Sequence, residues 1–241
     1  MNTKEILLTG LKKTYLNLTG VDDYYIFWKS DNGNLTLSSY VNAHGTSTLC
    51  KTKIVGTGIS RSDFILNNPD KLLKILAISA DNMELELPSN TSLKLVLRDS
   101  VYESNFSLCD PSSIGVSLPK LEEPMSYDVV IELNDEFMNK FIQAKKANGS
   151  ELVSVEVTDR VIRIQLGDNT DYSNKISFSV EEPGMFDMDK ILFSSDVIEE
   201  IFARNKGSKG RLFVCPEGLM KISFTLDKTE TTYFIVALDK L

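Results

Sequence analysis

Histidine occurs once in this chain of 241 residues, at His44, and cysteine three times, at Cys50, Cys109 and Cys215. A single imidazole excludes a paired-histidine metal site and the HExxH arrangement. Three cysteines, odd in number and far apart, make neither a disulfide framework nor a zinc site. They read as reduced, mostly buried thiols. No GxSxG nucleophile turn is present, and Gly56-Thr57-Gly58 is too short for a nucleotide fingerprint. Asp31-Asn32-Gly33-Asn34 lacks the ligand spacing and closing Glu of a calcium loop; it reads as a hairpin turn between strands at 24–29 and 35–40. No catalytic constellation emerges, so the expectation is a non-enzyme without a cofactor.

Long apolar runs are missing too. Nothing approaches the roughly 18 continuous residues a membrane helix needs. The opening MNTKEILLTGLKK has no basic n-region and no small-residue cleavage site, so it does not read as a signal peptide. The expected location is the cytoplasm. The Asn-x-Ser/Thr triplets at Asn17, Asn34, Asn90, Asn105 and Asn148 are then products of composition. A surplus of positive charge is also absent, since the formal net charge is −8. That argues against a surface coated in phosphate-binding groups.

What is present is a pattern stated twice. GRLFVCPEGLMKISFTLDKTETTYFIVALDKL, residues 210–241, reads as three strands separated by turns at Pro216-Glu217-Gly218 and Asp227-Lys228-Thr229. MELELPSNTSLKLVLRDSVYESNFSLCDPS, residues 83–112, has the same layout, with Leu87-Pro88 matching Cys215-Pro216. A helix precedes each copy. Asn68-Pro69-Asp70 is a helix start followed by the stripe Leu72, Leu73, Leu76, Ala77. Asp196 with Glu199 reads as a capping pair before Val197, Ile198, Ile201 and Phe202. Each half also opens with a helix. One carries Leu7, Leu8, Leu11 and Tyr15 on one face, the other Phe137, Met138, Phe141 and Ile142. Lys12 and Lys140 are 128 positions apart, close to the spacing of the strands. The fold expected is α+β, in two tandem domains at 1–109 and 126–241, each with helices on one face of antiparallel sheets. The segment 110–125, DPSSIGVSLPKLEEPM, holds three of the seven prolines and reads as a linker.

The charge is unevenly spread. The four helical segments at 1–18, 68–80, 134–147 and 195–209 sum to +4, and the remainder carries −12. Helices on one side of a sheet would give a basic face on an acidic protein, suited to a local, salt-sensitive contact with a polyanion. No recognition helix or aromatic platform for reading bases is visible.

Two stretches carry a family resemblance. LKLVLRDSVYESNFSLCDPSSIG, residues 93–115, looks like the end of a first clamp domain running into its linker. TTYFIVALDKL looks like the closing strand and short tail of a second. With the repeat, the chain resembles the DNA polymerase sliding clamp, a processivity factor of the PCNA-like fold, and the myophage type in particular. The resemblance implies a homotrimeric ring that encircles double-stranded DNA without sequence preference. It also implies binding of a DNA polymerase and a clamp loader, and it leaves transcription factors open as further partners. Lys12, Lys13, Lys71, Lys74, Lys140, Lys145, Lys146 and Arg204 would face the DNA. Tyr102, Ser104, Phe106 and Leu108 would pair with Ile176, Phe178 and Val180 of the next chain. Partner tails would dock near Val41, His44, Ile114, Val116, Leu118, Val236 and Leu238, with the tail from Asp239 to Leu241 close by. A β-rich virion assembly protein is the alternative that the repeat alone would also serve.

Overall fold

In a computed structural model the chain is described at all positions except 1, 22–23, 89–92, 111, 113–114, 116, 168–173 and 239–241. The first repeat runs α1 (Thr3–Thr14), β1 (Tyr25–Asp31), β2 (Asn34–Ala43), β3 (Thr46–Ile54), β4 (Ser62–Asn67), α2 (Pro69–Ile78), β5 (Glu84–Glu86), β6 (Lys94–Arg98) and β7 (Glu103–Ser107). The second adds one strand in front, β8 (Val129–Leu133). It then repeats the order: α3 (Asp135–Asn148), β9 (Leu152–Thr158), β10 (Val161–Leu166), β11 (Ile176–Pro183), β12 (Met188–Ser194), α4 (Ser195–Arg204), β13 (Lys209–Val214), β14 (Leu219–Leu226) and β15 (Thr229–Val236). Between β7 and β8 the described residues hold no helix or strand, as the proline-rich segment predicts.

Local chemistry sets the boundaries. Asn32 and Gly33 turn the β1–β2 hairpin with φ of 51° and 72°, the left-handed pair such a two-residue turn requires. The α1 start is a reciprocal capping box between Asn2 and Glu5. Asn68 caps α2, and Pro69 fills its first turn. At α4 the sequence reading is corrected. The cap is Ser194, whose side chain accepts from the Val197 amide, and Asp196 lies inside the first turn.

The strands form three antiparallel sheets, ordered β4-β1-β2-β3-β15-β14-β13-β8, β11-β10-β9-β12 and β5-β6-β7. The largest crosses the repeat boundary. There β3 pairs with β15, from Thr229 opposite Ile54 to Ile235 opposite Thr48. The closing strand TTYFIV is therefore the internal seam of the molecule. Each repeat also shuts on itself in the same way. The Cys109 amide donates to the Ile65 carbonyl at 3.0 Å, and the Leu238 amide to the Leu192 carbonyl at 2.9 Å.

The helices form one contiguous row, α2-α1-α4-α3, in which α1 packs against α2 and α4, and α4 against α3. α1 sits low on the central sheet because Gly10 has no side chain. A Cβ there would lie 2.8 Å from Leu37 Cδ1 and 3.0 Å from Ile54 Cδ1. A helical glycine costs about 1 kcal/mol relative to alanine, and here it permits close approach. Two apolar cores lie beneath the row, one per repeat. Leu16 and Cys50, although in the first repeat, pack into the second core and join the halves.

Candidate nucleic-acid interface and docking groove

The helix row presents its cations unequally. Lys12, Lys71, Lys74, Lys140 and Lys146 are exposed, and Arg204 is half-buried. Lys74 pairs with Asp70 at 2.6 Å, Lys140 with Glu136 at 2.7 Å and Arg204 with Glu200 at 2.6 Å, each four residues apart on its own helix. The Asp70 carboxylate, by hydrogen bond and then by charge, raises the Lys74 pKa above its ordinary value. Lys145 is caught between Asp196 at 2.5 Å and Glu199 at 3.2 Å. Burial works against its ammonium, but these two carboxylates outweigh it and hold the pKa up.

Lys13 departs from the expected role. It is 5% exposed, and its Nζ donates to Asn205 Oδ1 at 2.9 Å and Ser208 Oγ at 3.0 Å, just beyond α4. Burial lowers its pKa. The signal was legible: Lys13 lies seven positions from Ile6, on the stripe that also holds Gly10 and Thr14, whereas Lys12 does not. The repeat alignment shifts accordingly. The caps Asn2 and Asn134 lie 132 apart, so Lys13, not Lys12, corresponds to a lysine of α3, namely Lys145.

Around Lys13 the seam is polar and largely hydrogen-bonded, although the Thr231 hydroxyl on β15 is buried without a partner among the described residues. The Tyr233 hydroxyl donates to the Lys13 carbonyl at 2.7 Å and accepts from Asn205 Nδ2 at 2.8 Å. The Tyr24 hydroxyl donates to the Thr14 carbonyl at 2.8 Å. Burial pushes the Cys50 thiol up to about 12, so it stays protonated beside this cluster.

The strands expected at a subunit interface are edge strands. β7 pairs only with β6 and β11 only with β10 among the described residues. In the repeat, β7 corresponds to β15 and β11 to β3, the two strands that form the internal seam. Phe106 and Leu108 are buried in the first core, while Ile176, Phe178 and Val180 pack partly against the second. Ser104 is half-buried, and the Tyr102 hydroxyl reaches the Ser79 hydroxyl at the end of α2.

The residues expected to take partner tails divide by strand face. Val41, opposite Thr48, faces the helices and is 5% exposed within the first core. Its neighbour Tyr40 faces outward, in register with Leu49, Phe234 and Lys221 across four strands. His44 caps the β2–β3 turn and directs its ring to Asp196, 3.7 Å away, and Thr19, 3.4 Å away, toward α4. Leu118 is half-buried, Val236 is exposed, and Leu238 packs over Gly45. Ile114, Val116 and the tail from Asp239 lie outside the described residues.

The sequence reading missed an outward groove of about 400 Å³ on the seam. Leu49, Lys51, Lys53, Leu121, Glu123, Lys221, Glu230, Thr232 and Phe234 line it. Period-two alternation outward from Val236 identifies Phe234 and Thr232. The linker supplies one wall. Glu123 pairs with Lys221 at 2.5 Å, and the Lys221 ammonium lies 5.6 Å from the Phe234 ring, 5.9 Å from Phe213 and 6.0 Å from Tyr127. Burial, then the Glu123 charge, raises the Tyr127 phenol to about 12.

Among solved structures, the chain superimposes on PCNA of A. fulgidus, a structure with the C-terminal region of FEN-1 bound. The TM-score is 0.72 at 17% identity, over 98% of this chain and 96% of that one. The fold is that of PCNA. The Entamoeba histolytica PCNA matches with TM-score 0.65 at 16% identity, over 97% of this chain and 94% of the other. A PCNA2–PCNA3 complex from Sulfolobus tokodaii gives 0.66 at 13%, over 98% and 97%. No protein-family model and no curated protein sequence matches. Within the PCNA fold the two repeats are the two clamp-type domains, and the helix row is one layer across both. Among the described residues, no group of three metal-binding side chains occurs and no helix is long and apolar enough to cross a membrane.

Proposed function

We propose that this chain is a sliding clamp that encircles duplex DNA and tethers a DNA polymerase, with no chemistry of its own. The observation that carries the reading is the internal β3–β15 seam together with the free edges of β11 and β7. A seam already made within the chain has both of its strands repeated at the two ends, each with one edge unpaired among the described residues. Joining β11 of one chain to β7 of the next repeats the same contact. Such a head-to-tail contact closes into a ring if the rotation per repeat allows it. Two repeats per chain and a pseudo-sixfold ring make a homotrimer.

The exposed lysines Lys12, Lys71, Lys74, Lys140 and Lys146, with Arg204, supply a helix face for phosphates in a chain of net charge −8. Contacts of this kind are sequence-independent and screened beyond about 8 Å at physiological salt. Retention by topology lets each contact stay weak, so the ring slides. Lys13 and Lys145 support the helix layer instead of touching DNA. The seam groove on the opposite face is where a polymerase or clamp-loader segment docks. A virion assembly protein would use the repeat, but it gives no reason for a lysine-bearing helix layer. The test is primer extension on circular template by the cognate polymerase, with and without this protein and its loader. Longer products are expected with it, and unchanged product length would defeat the reading.

A further inference from the structure

The seam groove combines an apolar floor with several charged side chains. Three lysines, Lys51, Lys53 and Lys221, stand over an apolar floor of Leu49 and Phe234, against the two carboxylates Glu123 and Glu230. Glu230 belongs to the sheet and lies opposite Lys53 in register. Glu123 belongs to the linker and holds Lys221 at 2.5 Å. Lys51 and Lys53 are exposed and make no ion pair among the described residues. The linker thus places an apolar side chain, Leu121, and an acid, Glu123, at a groove whose own sheet carries two apolar side chains, three lysines and one carboxylate, Glu230.

We infer that the groove takes a partner peptide with an apolar core and acidic flanks, and that Glu123 is its built-in competitor for Lys221. This rests on the clamp reading only for the partner's identity; the recognition follows from the groove's charge. An incoming carboxylate replaces Glu123 on Lys221, which keeps its place over the Phe234, Phe213 and Tyr127 rings. A second acid meets Lys51 and Lys53. The displaced linker lifts Leu121 and vacates the apolar floor for the peptide's own side chains. A basic-flanked peptide would leave Glu123 in place and set its charges against three lysines. Attraction of this kind weakens as salt screens it.

The experiment is fluorescence anisotropy of the full chain with two labelled probe peptides. They share a Leu-Phe core, flanked by glutamates in one and by lysines in the other. The acidic probe is expected to bind at least about tenfold tighter. It should weaken about tenfold in Lys51→Glu/Lys53→Glu and tighten severalfold in Glu123→Gln. Circular dichroism on each variant verifies folding. Equal or preferential binding of the basic probe overturns the proposal, as does absence of binding to both the native chain and Glu123→Gln. Retention on circular DNA, read on the same preparations, separates the two ideas. Acid preference without retention removes the clamp reading and leaves the groove, and retention without acid preference does the reverse.

Discussion

Lys13 Nζ and Asn205 Oδ1 lie 2.9 Å apart, although 192 residues separate them. The pair ties the end of α1 to the end of α4 across the β3–β15 seam. Among the described residues Lys13 has no ion-pair partner; its ammonium is held by the Asn205 amide oxygen and the Ser208 hydroxyl. Lys13→Ala strands the Asn205 and Ser208 acceptors. It is expected to destabilise the fold by about 1–3 kcal/mol. Asn205→Ala should cost a similar amount, and the double variant less than the sum, because one network is removed once. Urea denaturation of the four proteins measures the coupling.

The same lysine makes a pH signature. Burial lowers its folded-state pKa below the ordinary 10.5. Between the lowered value and 10.5 the unfolded chain binds more protons, so this group's contribution makes stability rise with pH there. At lower pH both states are protonated and the burial penalty is present in full. Lys13→Met removes the group. The stability of the native chain relative to Lys13→Met should therefore climb toward pH 10, as read from denaturation midpoints across that range.

Exposure separates the cations proposed to face DNA from the structural ones. Lys12 and Lys71 are exposed, with no ion pair among the described residues. Lys12→Glu/Lys71→Glu should weaken DNA association and lower the slope of log affinity against log salt by roughly one for each phosphate that is no longer neutralised. Folding should be unchanged, since surface changes usually stay within about 0.5 kcal/mol. Binding titrations at several salt concentrations test this, with Lys13→Met as the control that affects stability and leaves the slope alone.

In the proposed ring, Ile78 and Val101 would lie at the contact between chains. They are 74% and 88% exposed, large apolar side chains at the end of α2 and at the β6–β7 turn. The matching places in the second repeat are the end of α4 and the β14–β15 turn. Both lie against the first repeat, through Asn205 and through the Lys228 carbonyl that accepts from the Val55 amide at 3.0 Å. Ile78→Lys/Val101→Glu should bring the mass in light scattering from three times 27.0 kDa to 27.0 kDa with the fold intact.

Elements with local signatures were legible in the sequence. The Asn32-Gly33 turn, the Asn68-Pro69 start and the three closing strands are written in residues that act on their own backbone. The repeat was legible as spacing. Its register was not, because insertions shift the offset from 132 at the first helix caps to 126 at the second, Asn68 and Ser194. That drift hid the correspondence of Lys13 with Lys145. Val41 and Tyr40 show the other limit. Period-two alternation from Leu35 and Leu37 puts Val41 on the core face and Tyr40 on the outward one, but what lies beside Tyr40 on that outward face is decided only by the pairing of β3 with β15. The Lys221–Glu123 ion pair joins residues 98 apart, and no local pattern marks it.

The most direct measurement of the central claim is retention on DNA of changed topology. The labelled protein is loaded by its loader onto a nicked circular plasmid and separated from free protein by gel filtration at high salt. The circle is then cut once with a restriction enzyme. A clamp held by topology stays with the circle at high salt and leaves the linear DNA by running off its ends. Protein that washes off the circle, or that stays on the linear DNA as firmly as on the circle, would contradict an encircling ring.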